Sequence, residues 1–380
     1  MSPCIKQIFL LCALFCLVLC APKWNQLNNY TFDQYITDFN KGYTPNSPEY
    51  HMRKTIFNKK LQAIISFNSL QGTYYKKGVN QFTDQSEQEL ENQTLGYVSS
   101  GQKSPFSSSS RLLSSTLSNV TLQELPASVD WREKNVVTPV KDQGKCGSCW
   151  AFASAATIES HAAIASGKLK TLSTQQLVSC AQNSYNCGGV GGCHGSIAEL
   201  AFSYVQLFGI TSDYKYSYSS YQGVEEGSCS FNPDKQSVEV MLDGYLKLTT
   251  NSYEDIMVAL ATVGPLAVAV DASKWHDYEG GVFDGCDYTA NMNVNHAVVL
   301  VGYGTDEVEG DYWLVRNSWG TKFGENGYIR LRRESQTKCG VDYTPLKGQA
   351  CKGQEAPTRV CGQCAILYDA SYPLNVRVVG

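Results

Sequence analysis

Residues 143–152 read Gln143-Gly144-Lys145-Cys146-Gly147-Ser148-Cys149-Trp150-Ala151-Phe152, and an Ala-rich run follows to Ala156. Ser148 is a good N-cap residue and Gly167 a good stop, so the spacing predicts a helix that opens at Cys149. A cysteine in the first helical turn feels the positive end of the dipole and several unpaired N–H groups. Both favour thiolate over thiol, so Cys149 is placed to be a nucleophile. A nucleophile needs a base, and the chain holds only five histidines. His51 lies in the leader, His161 three turns along the helix of Cys149, His194 in a glycine-rich loop, and His276 in a polar stretch expected at the surface. His296 opens the apolar strand Ala297–Val301, where a strand end can present an imidazole to a cleft. Asn317 follows the strand Tyr312–Val315 and precedes Ser318-Trp319-Gly320, so it can orient that imidazole beneath an indole. Gln143 carries an amide that can join the Cys149 N–H in an oxyanion hole.

Outward from this stretch, the 380 residues carry 31 basic and 35 acidic side chains, 43% hydrophobic and 17% charged, a globular composition of net charge −4. No broad basic surface is available for nucleic acid. Fifteen cysteines point to disulfides and an oxidising compartment. Lys6 followed by apolar Ile8–Leu19 reads as a signal peptide over residues 1–20, too short to span a bilayer. Cleavage after Cys20 discards Cys4, Cys12, Cys16 and Cys20 and leaves eleven cysteines, an odd number, so one thiol stays outside the disulfides. Residues 21–120 are helical and polar-amphipathic, with Phe57, Leu61, Ile64 and Phe67 on one face, and end in a Ser-rich linker, Ser99–Ser118. The sequons at Asn29, Asn92 and Asn119 sit on or before that linker. Residues 1–124 sum to +3 and residues 125–380 to −7, so the two parts can attract one another. Past Leu125 strand-like runs appear at Leu266–Val270, Ala297–Val301, Tyr312–Val315 and Tyr328–Leu331.

Gln143–Phe152 resembles the nucleophile motif of papain-like cysteine proteases. Leu125–Arg132 is similar to that family's mature start, Asn295-His296-Ala297-Val298 to its histidine motif with asparagine in place of the usual aspartate, and Arg316-Asn317-Ser318-Trp319-Gly320 to its asparagine motif. Glu49, Arg53, Phe57, Ile64 and Asn68, with Lys60 for an asparagine, and then Gly78, Asn80, Phe82 and Asp84, resemble the inhibitory prosegment of the cathepsin L-like branch. The resemblance implies an α+β fold: a helical left domain and a β-barrel right domain over residues 121–380, preceded by a helical prosegment. It further implies a monomeric zymogen of lysosome or vacuole type, or secreted. The enzyme would be an endopeptidase acting on polypeptides without cofactor or metal, with its own propeptide as inhibitor and no insertion capping the groove.

The same resemblance implies disulfides Cys146–Cys193, Cys180–Cys229 and Cys286–Cys339. Cys187, Cys351, Cys361 and Cys364 are left for two more bridges, the last three in an insertion near residues 341–368, and Cys364 can replace Cys339 as the partner of Cys286. Two other readings of these cysteines weigh less. Cys146-Gly147-Ser148-Cys149 is formally a redox pair but lacks a βαβ context, and Cys361-Gly362-Gln363-Cys364 is formally a zinc knuckle but sits in an oxidising compartment. For the substrate, the resemblance places Gly195 and Ser196 beside the peptide backbone and Trp319 at the primed subsites. Its P2 pocket would be walled by Ile197, Ala198, Ala269 and Val294 and floored by Asp369. That carboxylate is expected to admit arginine increasingly between about pH 4 and 6.

Overall fold

The computed structural model describes residues 22–95, 120–224 and 228–379. The signal-peptide reading, the Ser-rich linker and the sequon at Asn119 lie outside these residues. Asn29 and Asn92 are described, and both are exposed.

The leader folds as three helices, α1 (Phe32–Asp38), α2 (Pro48–Asn68) and α3 (Glu87–Thr94), with one short strand, β1 (Tyr75–Lys77). Local chemistry sets the helix starts. Ser47 accepts from Tyr50 N ahead of Pro48 at the first helical position, and Ser86 with Glu89 closes a capping box. Phe57, Leu61 and Ile64 on α2 pack against Phe32 and Tyr35, as the helical spacing predicts. Phe67 instead turns toward the sheet of the second half and packs on Tyr75.

A helical lobe follows, built on α4 (Cys149–Ser166), α5 (Thr174–Cys180) and α6 (Ala198–Phe208). Every residue of α4 from Cys149 to Ala163 is buried, and Gly167 ends it at φ 70°. Its one buried acid, Glu159, is held by Lys141 at 2.7 Å, by the Thr138 hydroxyl and by Leu172 N at 2.7 Å.

The second lobe is one nine-stranded sheet. Its strands are β4 (Gly244–Lys247), β5 (Leu266–Val270), β6 (Tyr278–Phe283), β7 (His296–Asp306), β8 (Gly310–Arg316), β9 (Tyr328–Arg332) and β12 (Asp369–Leu374), joined by β1 from the leader and by β2 (Val129–Asp130), which pairs with β7. Helix α7 (Tyr253–Thr262) packs on it. The order is β1-β6-β9-β8-β7-β5-β12-β4, antiparallel except where β6 meets β9. All four strand-like runs read from the sequence are strands here. Strands β5 and β7 are buried on both faces: Leu266, Val268, Val298 and Leu300 enter the sheet's own core, whereas Ala267, Ala297, Val299 and Val301 face the helical lobe. This two-sided burial seats α4 against β7 and fixes the two lobes to each other.

β1 lengthens the sheet by pairing antiparallel with β6, Tyr75 opposite Gly281. Gly281 sits at φ +93°, and a Cβ there would lie 2.5 Å from the Tyr74 carbonyl, so only glycine lets the leader dock so closely.

The disulfides correct one implied pair. Cys146–Cys193 and Cys180–Cys229 form, but Cys286 joins Cys364, and Cys339 joins Cys361. The reason lies in the insertion. Strands β10 (Cys339–Asp342) and β11 (Thr358–Cys361) pair antiparallel with Cys339 directly opposite Cys361, which leaves Cys364 to reach Cys286. Cys187 bonds Cys351 across 164 residues. Mass spectrometry of a non-reducing digest is expected to recover the Cys286–Cys364, Cys339–Cys361 and Cys187–Cys351 peptides. A peptide linking Cys286 to Cys339 would contradict this arrangement.

Candidate active site

Cys149 is the first residue of α4, 1% exposed, and the only cysteine among the described residues outside a disulfide. Ser148 holds the N-cap position without capping. Its hydroxyl turns to Tyr218 Oη at 2.8 Å, so the helix N–H groups keep their affinity for another acceptor.

His296 is the first residue of β7, paired with Val270 in the ladder, and fully buried. Its Nε2 lies 2.8 Å from Asn317 Oδ1. That oxygen also accepts Ser318 N at 2.8 Å, so it is an acceptor, which places the imidazole proton on Nε2 and leaves Nδ1 with its lone pair. Nδ1 is buried and makes no hydrogen bond. The Trp319 indole lies over the ring at 4.9 Å and Trp275 meets its edge at 6.3 Å. Burial pulls the imidazole pKa down to about 4, against the Asn317 bond, so the buried ring is neutral.

Gln143 is wholly buried. Its Oε1 accepts the Ser318 hydroxyl at 2.7 Å, which turns Nε2 toward Cys146 O at 3.0 Å and, 3.2 Å away, the carbonyl of Thr94 in the leader. One chain of hydrogen bonds thus runs from Ser148 through Tyr218, Gln143, Ser318 and Asn317 to His296. Tyr218 and Ser318 were not singled out from the sequence. Ser318 had a signal, its place between Asn317 and Trp319, but Tyr218 lies in a loop whose pattern announces nothing. Asn295, at the departure from the family motif, receives Ala272 N at 3.0 Å and donates to the Ser273 hydroxyl at 2.8 Å, a loop-fixing role.

The leader covers this groove. Asn80 donates to the His276 carbonyl at 2.6 Å, Gln81 to that of Trp319 at 2.7 Å, and Phe82 packs edge-on to Trp319 at 5.4 Å. His276, expected at the surface, is stacked on Trp319 at 4.8 Å and bonded to the Thr94 hydroxyl at 2.9 Å. Its pKa falls to about 3 through burial, with Lys60 and His296 adding repulsion. His161 is a core residue bonded to the Pro265 carbonyl at 2.9 Å.

A narrow slot with a cavity volume of only about 10 Å³ is lined by Ile197, Ala198, Ala269 and Asp369, together with Glu199, Ala267, Ala297 and Gln349. Val294 does not line it directly but is buried in one cluster with Ala269, a wall of the slot, and with Met292, Val360 and Ala365. Gly195 stands at φ +88° with its carbonyl taken by Gly191 N at 2.7 Å, and the buried Ser196 hydroxyl has no hydrogen-bond partner. Asp369 is not an open carboxylate. Lys247 lies 2.5 Å from its Oδ2, Gln349 donates to the same oxygen, and Lys247 also holds Glu199 at 2.9 Å. Burial, then Glu199, pushes Asp369 up to about 7, while Lys247 holds Glu199 below the usual carboxylate range. Two buried carboxyls with one ammonium therefore share one proton, and the cluster is neutral at acidic pH. Lys247 was invisible in the sequence, because only the register of β4 on β12, Lys247 opposite Ser371, brings it to the slot.

A thiol at a helix N-terminus, an imidazole oriented by an amide and a second amide whose N–H meets a carbonyl of the leader are the equipment of a thiol-dependent hydrolase, here with its groove covered by its own leader. Residues 125–348 match the model of the papain family cysteine protease, and residues 32–90 that of the cathepsin propeptide inhibitor domain. Procathepsin L of Mus musculus is 34% identical over 352 residues, covering 88% of this chain and 97% of that protein. Digestive procathepsin L2 proteinase from Tenebrio molitor larval midgut superposes with TM-score 0.71 at 33% identity over 90% of this chain and 98% of that one. The bromelain protease from Ananas comosus in complex with the E64 inhibitor does so with TM-score 0.53 at 34% identity, over 66% of this chain and 99% of that one. The chain belongs to the papain family of cysteine proteases, and it is a cathepsin L-like cysteine endopeptidase made with an inhibitory propeptide.

The contacts of the leader differ in weight. The Arg53–Glu89 ion pair, bidentate at 2.8 and 2.7 Å, joins two leader helices without touching the other half and contributes on the order of 1 kcal/mol. Phe82 is buried against the other half, where truncation of a buried phenylalanine costs roughly 3 kcal/mol, about a hundredfold in affinity. Phe82→Ala in a separately made propeptide is therefore expected to raise its inhibition constant about a hundredfold, and Arg53→Ala only severalfold. Titration of the mature enzyme with each peptide measures both.

Proposed function

We propose that Cys149 attacks the scissile carbonyl of a polypeptide. His296 takes the thiol proton on Nδ1 and then gives it to the leaving amine, and Asn317 holds the ring through Nε2. Gln143 Nε2 and the Cys149 N–H stabilise the oxyanion. The observation that carries this reading is Gln143 Nε2 directed at the Thr94 carbonyl: the leader places a peptide carbonyl at the donor a substrate carbonyl would use. Cys149→Ser is expected to abolish hydrolysis in a zymogen that still folds and to lose labelling by an epoxide inhibitor of cysteine proteases. Gln143→Ala should lower kcat about 10²-fold to 10³-fold with a smaller change in KM. Retained turnover in purified Cys149→Ser protein would end this mechanism.

The division of the chain follows: residues 1–20 a signal peptide, 21–120 the propeptide with its linker, 121–380 the peptidase with its cysteine-bearing insertion. The enzyme acts as a monomer in an acidic lysosome-type or vacuole-type compartment or outside the cell. Among the described residues no helix is long and apolar enough to cross a membrane. Asp369 supports an acidic setting. Unfolded, it ionises near its model value of 3.8; folded, it keeps its proton to about 7, so its contribution to stability is full below 3.8 and is lost as pH rises toward 7.

The slot beside Asp369 is the P2 pocket of this reading. A neutral cluster at its end favours leucine at acidic pH. Arginine gains only when Asp369 ionises, which moves the rise from the pH 4–6 interval expected from the sequence to about pH 7. The arginine-to-leucine P2 ratio measured from pH 4 to 8 should rise through 7 in the wild type and stay flat in Asp369→Asn. A wild-type rise completed by pH 6 would contradict the shared-proton cluster.

A further inference from the structure

The Cys187–Cys351 bridge joins a loop of the helical lobe to the insertion carried by the sheet lobe, and it packs against Ile197, a wall of the slot just described. The approach to Cys351 is fastened at each step. Gln349 N donates to the Val294 carbonyl at 2.9 Å on the sheet side, and the Ala350 carbonyl accepts Gly188 N at 3.2 Å on the helical side. Gly348 passes so close to the sheet lobe that a Cβ would lie 2.2 Å from the Val294 oxygen. Cys187 and Cys351 then pack behind Ile197, a wall of the slot, with Leu200 and Tyr185. At the base of the insertion, Cys339–Cys361 and Cys286–Cys364 hold its two ends.

We propose that residues 347–351 are a covalently fastened strap across the end of the groove away from Trp319, and that Gln349 on this strap is a specificity-determining residue. It closes the far end of the P2 pocket and selects compact aliphatic P2 side chains over aromatic ones. The proposal rests on the P2 reading above. Gln349 cannot swing aside as an ordinary surface glutamine does. Its backbone is bonded to Val294, its Nε2 is bonded to Asp369 Oδ2, and the chain two residues on is tied to the opposite lobe. Gln349 lines the pocket, and its buried Oε1 has no hydrogen-bond partner, so an aromatic ring at this end would supply no donor to it.

The test uses matured enzyme and two fluorogenic peptides differing only in leucine or phenylalanine at P2. Gln349→Ala and the double variant Cys187→Ser/Cys351→Ser are each expected to raise the phenylalanine-to-leucine ratio of kcat/KM about tenfold. Gln349→Ala keeps every disulfide, so the result does not depend on the double variant maturing. Ile197→Ala, which widens the opposite wall, separates the two levels of the argument. A shifted ratio in Ile197→Ala with an unchanged ratio in Gln349→Ala overturns the strap and leaves the P2 reading standing. Unchanged ratios in all three overturn both.

Discussion

Everything in this molecule hangs on two strands buried on both faces. β5 and β7 send large side chains into the sheet core and small ones, Ala267 and Ala297, toward the Ala-rich helix α4. Because a strand alternates its faces at every residue, neither set can slip by one position without driving bulk into the helix contact or leaving a void in the core. The register of β7 therefore sets where His296 begins, and the seating of α4 sets where Cys149 begins. Two groups from opposite lobes acquire a fixed relation without a loop having to hold either.

The polar part of the site is built on that apolar seam. Ser148 declines its usual capping role because Tyr218 takes its hydroxyl, and Tyr218 also holds the Gln143 carbonyl. Ser318 fixes the Gln143 amide and, through its own N–H, the Asn317 amide. Each amide is thereby prevented from flipping, and each presents a fixed atom: Nε2 of Gln143 to the Thr94 carbonyl, Oδ1 of Asn317 to the imidazole. Preorganisation of this kind removes the cost of turning dipoles during reaction.

Inhibition uses the same equipment. The leader adds a strand to the sheet edge at β6, lays Phe82 on Trp319, and brings Thr94 to both Gln143 and His276. Burial also removes water from His296 and His276, which holds each ring neutral in the zymogen.

Much of this was legible in the residues themselves. The helix from Cys149 to Gly167 followed from caps and stops, the four principal strands from continuous apolar runs, and Cys149, His296 and Asn317 from residue chemistry and elimination among five histidines. Such features are local, and local propensity is carried by neighbouring residues. The partners of Cys286 and Cys339 were not local. The facing of Cys339 and Cys361 arises from a hairpin whose register no spacing announces. Lys247 beside Asp369, Gln349 over the slot and His276 under Thr94 are likewise contacts between residues 122, 20 and 182 positions apart. Sequence by itself determined which chemistry the chain carries and on which elements. Only the tertiary structure decided which charges that chemistry meets, because a pKa or a pocket wall depends on distance in space, and pairing of distant strands sets that distance.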